Sequence, residues 1–290
     1  MRVSGFLGVE WKVTCRSRWT WIILTLVVCA LLFACLMTLR LMGQNNEAVG
    51  LLQTHLGSDS VQSFVNDPDA LAGFRDTQPS HGVSVPLAIL AALGPFLVAA
   101  WGAGLIGSEI SWRTNRVRAA HFGWGPTVLA KMVLVVGGCA CIAIVAGLLG
   151  LAWKPVMSHA ISTRYPLLAL VPLEEAGVSI FAQMGAVFSG LACYGLLASL
   201  LVLALRSTPA ALVGTVALIY VGGFIHAPWI PSAAFAELLS ATLSYPAGIV
   251  GAPDQVPGGL GPWWALAVLL AWSCAFGLGA WAIAKRQEVR

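Results

Sequence analysis

Between Trp19 and Ala284 the chain passes through a succession of apolar stretches of about twenty residues, with most of its charge held in the segments between them. A helix of that length crosses roughly 30 Å of hydrocarbon and satisfies its own backbone N–H and C=O groups while doing so. The expectation is therefore an all-α membrane protein. Composition agrees: 58% of residues are hydrophobic and 10% charged, where a soluble domain has about 25% charged. A water-soluble core in a chain of 290 residues would need a polar shell that this sequence does not supply.

Six spans are expected within a single transmembrane domain covering 1–290, over Trp19–Met42, Val83–Ile106, Pro126–Trp153, Ser179–Leu205, Ala210–Ala227 and Trp263–Ala284. Residues 1–18 carry Arg2, Lys12, Arg16 and Arg18, while Val3, Leu7 and Trp11 recur at fourfold spacing with Phe6 beside them. That pattern predicts an amphipathic helix lying along the membrane surface. A cleaved signal peptide fits less well, because the apolar run that follows is long and lacks a small-residue cleavage site.

Residues 43–82 are polar and acidic (Glu47, Asp59, Asp67, Asp69, Asp76) and are expected to form an external loop holding a short helix near Glu47 to Leu56. Gly94-Pro95 should bend the second span, and Ala99, Ala103 and Gly107 offer a small-residue stripe for close helix contact. Residues 108–122 form a basic amphipathic segment between the second and third spans, and Pro126 suits the first position of the helix that follows. A second external loop is expected over 154–178, and Arg206-Ser207-Thr208-Pro209 is a tight turn. In the apolar, Pro- and Gly-studded region 232–262, Ala233–Leu243 predicts a helix too short to cross, dipping into the outer leaflet instead.

Six crossings place both termini on one side. Of the sixteen Lys and Arg residues, only Arg40, Arg75, Lys154 and Arg164 fall on the opposite side, so the positive-inside rule predicts cytoplasmic termini and a cytoplasmic 108–122 segment.

The chemistry of the side chains excludes more than it proposes. The five His residues are scattered, without a His-x-x-x-His pair or an acidic partner in register, and no carboxylate, His or Ser cluster at membrane depth supports an intramembrane enzyme. No Lys follows a Gly, as a phosphate-binding loop requires. No ionisable residue lies at the centre of any expected span, which argues against ion-coupled transport, since a charge there costs roughly 2.5–3.5 kcal/mol and is retained for function. Seven cysteines, nearly all inside apolar runs, read as packing residues, and Cys139 and Cys141 would point to different faces of one helix.

The order of elements, and the run Glu109, Thr114, Pro126 and Lys131 in the segment leading into the third span, resemble the membrane subunits of ATP-binding-cassette (ABC) exporters of the ABC-2 type, the type V exporter fold. The likeness covers nearly the whole chain. It departs at Asn115-Arg116-Val117-Arg118, where the family tends to be leucine-rich. The long first external loop counts against the exporters of lipid-linked polysaccharides.

The resemblance implies a permease subunit in a bacterial plasma membrane, with no ATPase site or cofactor of its own. Separate ABC ATPase subunits would bind ATP and Mg, and a second copy or a homologous permease would complete the pair. Residues 108–122 would be the coupling helix, with Glu109, Arg113, Arg116 and Arg118 making polar contacts, Trp112 packing and Thr114 the motif residue. The helix after the fifth span would be re-entrant.

The first and fifth spans would face a partner or a substrate path through Cys29, Phe33, Met37, Thr215, Ile219 and Tyr220. Such a lining suits an amphipathic or hydrophobic cargo (drug, lipid or peptide). Apart from lipid, no further partner is implied, and no nucleic acid. A non-transport scaffold or immunity protein of the same topology is the alternative.

Overall fold

A computed structural model describes residues 3–56, 74–111, 123–171, 178–225, 227–243 and 261–288. Every regular element among them is helical: α1 (Val3–Arg16), α2 (Arg18–Leu56), α3 (Ser84–Ser111), α4 (Trp124–Thr163), α5 (Ile180–Leu205), α6 (Thr208–Phe224), α7 (Pro231–Leu243) and α8 (Pro262–Glu288), with three short 3-10 turns. Five of these, α2, α3, α4, α5 and α8, are long and apolar enough to cross a membrane. The chain is an all-α membrane protein. The fifth of the six expected spans, Ala210–Ala227, corresponds to α6, which is apolar but has 17 residues, about 25 Å at 1.5 Å per residue.

α5 is the axis of the bundle. It is the most enclosed of the five long helices, and Leu191, Cys193, Tyr194, Ala198 and Val202 pack inward with 2% exposure or less. A helix apolar all round belongs in a protein core or a membrane, and here α3, α4, α6, α7 and α8 cover it. Small residues set the spacing. A β-carbon at Gly102 of α3 would come within 2.9 Å of the Gly195 carbonyl oxygen of α5, and one at Gly195 within 2.8 Å of Val98. The stripe Ala99, Ala103, Gly107 makes the close contact its spacing predicts, since Ala99 and Ala103 are fully enclosed and Gly107 abuts Thr208 at the start of α6.

Two expected loops begin as helix instead. α2 does not stop near Met42 but runs unbroken to Leu56, absorbing the separate short helix expected there, and α4 continues past Trp153 and through Pro155 to Thr163. At 39 and 40 residues they measure about 58 and 60 Å, nearly twice a hydrocarbon thickness. Tertiary packing makes the extensions possible. Met42, Val49, Met157, Ala160, Leu168 and Val171 form a second core separate from the main one. The Asn46 side-chain oxygen accepts the Leu167 N–H at 3.1 Å, and Gly43 lies against the Tyr165 ring.

Pro126 sits at the third helical position, not the first, because Gly123 with φ 80° caps α4 and Trp124 begins it. The turn between α5 and α6 is as short as expected. Arg206 adopts the left-handed region (φ 52°), and the Ser207 hydroxyl accepts the Ala210 N–H. α7 matches the short helix expected over Ala233–Leu243 and is almost wholly buried against α5, α6 and α8. Its Phe235 fits over Gly190 and meets Tyr194 edge-on, with ring centroids 6.1 Å apart. The Glu237 carboxylate accepts the Gly261 N–H at 2.6 Å, placing an acid at the start of α8 where the helix dipole favours it.

Candidate functional site at the base of the bundle

At the α1 end of the bundle, α3 finishes and α4 begins, flanking residues 112–122. The site grows from Lys131, a cation enclosed at that junction. Lys131 lies two turns into α4, and its Nζ is 3.0 Å from Glu109 Oε1 on the last turn of α3 and 3.9 Å from Glu10 Oε2 on α1. It also donates to the Leu105 carbonyl at 2.7 Å. The carbonyl oxygen carries partial negative charge and so adds a third favourable partner to the two carboxylates. The three charged side chains are only 3%, 3% and 8% exposed for Lys131, Glu10 and Glu109.

α1 presents its polar side to this cluster. Glu10 and Thr14 are buried, whereas Val9, Trp11 and Val13 face outward. A helix in water would do the reverse. In a bilayer interface the apolar face belongs to lipid, and the polar face is left to meet Lys131.

A second latch lies beside the first. Trp124 Nε1 donates to Gln287 Oε1 at 3.3 Å, and Gln287 Nε2 donates to the Leu203 carbonyl at 3.1 Å. One amide thus joins the start of α4 to the ends of α8 and α5. With Gly107 of α3 seated against Thr208 of α6, contacts at this end of the bundle join α3 to α6 and α4 to α5 and α8.

Of the expected coupling residues, Glu109 is turned inward onto Lys131, so it cannot also lie on an outer contact surface in this arrangement. Trp112, Arg113, Thr114, Arg116 and Arg118 lie outside the described residues. The other expected set divides. Cys29, Phe33 and Met37 share an exposed face of α2. Thr215 and Ile219 are enclosed within the chain, with the Thr215 hydroxyl donating to the Ala211 carbonyl, and Tyr220 is exposed near Phe96. Positions four apart share a helix face while the next residue is about 100° around, so these three never formed one surface.

Three cysteines (Cys35, Cys139, Cys193) are buried packing residues, but Cys29, Cys141 and Cys274 point outward, a correction that follows from so many helices having a lipid-facing side. Among the described residues no group of three His, Cys, Asp or Glu side chains could hold a metal ion.

Glu10 and Gln287 were not singled out from the sequence, and Lys131 was read only as a topological charge and motif residue. A signal existed. Glu10 is the first acid of the chain and none follows before Glu47, Glu109 is the lone acid between Asp76 and Glu174, and Lys131 is the lone charge between Arg118 and Lys154. Isolated charges of opposite sign at the ends of apolar runs are expected to find one another.

No protein-family model, no curated protein and no solved structure matches the chain.

Proposed function

We propose that the chain is the membrane-spanning permease subunit of an ABC exporter of the ABC-2 type, moving an amphipathic or hydrophobic substrate outward with ATP hydrolysed, with Mg, by separate ATPase subunits. The observation that carries this reading is the buried Glu10–Lys131–Glu109 cluster. A permease driven from outside must receive force at a place that moves as one piece. The cluster fastens α1, the end of α3 and the start of α4 together on both sides of residues 112–122, as a rigid mount for a coupling helix would require.

In this reading α6 is the fifth of six spans and α7 the re-entrant helix. Both termini are cytoplasmic in a bacterial plasma membrane, and a second permease completes the assembly. Glu109 braces the coupling helix from behind, and Trp112, Arg113, Thr114, Arg116 and Arg118 meet the ATPase.

The test is co-purification of the ABC ATPase subunit that this reading requires with the double variant Arg113→Glu, Arg116→Glu. Loss of the ATPase at least tenfold, with the membrane protein eluting as the wild type does, is the expected result. Undiminished assembly removes the contact assignment. Assembly without ATP-dependent substrate movement in vesicles would favour a non-transport subunit of the same topology.

A further inference from the structure

A groove of about 550 Å³ lies between α2 and α3 toward the end of the bundle away from α1, within the roughly 300–1,000 Å³ typical of small-molecule sites. Its lining is mostly apolar, with Phe33 and Met37 on one wall and Val85 and Ile89 on the other; Thr38 and Gln44 also line it, as do Arg40 from α2 and Asp76 from a 3-10 turn.

Three observations define what fits. First, Phe33 and Met37 are 55% and 43% exposed, so the apolar part opens sideways, where a bilayer supplies acyl chains. Second, Arg40 lies about 29–32 Å along α2 from the aromatic pair Trp21 and Trp19, at 1.5 Å per residue. That span matches one hydrocarbon thickness and sets Arg40 at the headgroup level of the opposite leaflet. Third, the groove is lined by one cation and one anion, neither of which is in an ion pair or a side-chain hydrogen bond with another described residue. A purely anionic headgroup would meet the Asp76 carboxylate unfavourably, and a neutral amphiphile would leave both charges unanswered.

We propose that this groove binds an aminophospholipid of the leaflet far from α1, its phosphate on Arg40, its ammonium on Asp76 and an acyl chain along Phe33 and Met37. A guanidinium is suited to phosphate by its planar set of donors, and a carboxylate to an ammonium that has three N–H donors of its own. The occupancy would hold the distal halves of α2 and α3 at a fixed separation. The proposal does not depend on the export reading.

The purified chain in detergent, offered dioleoyl phosphatidylethanolamine and dioleoyl phosphatidylglycerol in equal amounts, tests it by native mass spectrometry. Preferential retention of one phosphatidylethanolamine is expected, falling at least fivefold in Arg40→Gln and in Asp76→Asn. Both positions lie outside the core, so the fold is kept, and unchanged thermal unfolding checks that. Equal retention of the two lipids, or variants that retain lipid as the wild type does, overturns the proposal. No ATPase is needed, so failure here leaves the export reading standing, and the converse holds.

Discussion

Lys131 is the most demanding side chain in the bundle, because an ammonium removed from water costs several kcal/mol unless partners surround it. Here they include two carboxylates and the Leu105 carbonyl. Lys131→Met should therefore be worse than removal of the whole cluster, since it leaves Glu10 and Glu109 enclosed without their shared cation. A loss of about 3–5 kcal/mol is expected for the single change, read as a marked fall in melting temperature in one detergent. The triple variant Glu10→Gln, Lys131→Met, Glu109→Gln should recover most of it, because burying neutral groups avoids the desolvation penalty. Equal melting of the single variant and the wild type would show that the ion cluster does not hold the base together.

At the scale of elements, α7 is held by shape. Gly190 leaves room for the Phe235 ring, and a β-carbon there would overlap it. Gly190→Ala should cost about 1–3 kcal/mol through overpacking, visible as lower yield and melting temperature. Adding Phe235→Leu should restore part of the loss by shortening the intruding ring. If Gly190→Ala is neutral, α7 is not seated on α5 as described.

Element existence was legible from the runs of apolar residues, as for α3, α5 and α8, whose expected and observed ends agree within a few residues. Element ends were not legible for α2 and α4. Gln44, Asn45 and Asn46 look like a loop in isolation, yet they continue a helix because Asn46 and Gly43 find partners at Leu167 and Tyr165, more than a hundred residues away. At the candidate site the lone charges were visible in the sequence, but which of them meet depends on how α1 lies across the ends of α3 and α4.

For the whole molecule, the distribution of Lys and Arg predicts that the α1 end is cytoplasmic and the far ends of α2 and α4 are outside. Ala48 and Lys285 are both exposed and belong to opposite ends of the bundle. In a background with the seven native cysteines replaced by Ser or Ala, Ala48→Cys should react with a membrane-impermeant maleimide in intact cells. Lys285→Cys should react only after permeabilisation. Labelling of both from outside would refute the topology.

The sequence by itself determined the solvent, the helical class and the rough position of each long helix, because these depend on local hydropathy and on backbone groups that must pair within their own segment. Only the tertiary structure decided how far α2 and α4 extend, which side of α1 faces the protein and which charges meet at Lys131. Those outcomes rest on contacts between residues distant in the chain, and a buried ion or a polar turn is stable only where such contacts surround it.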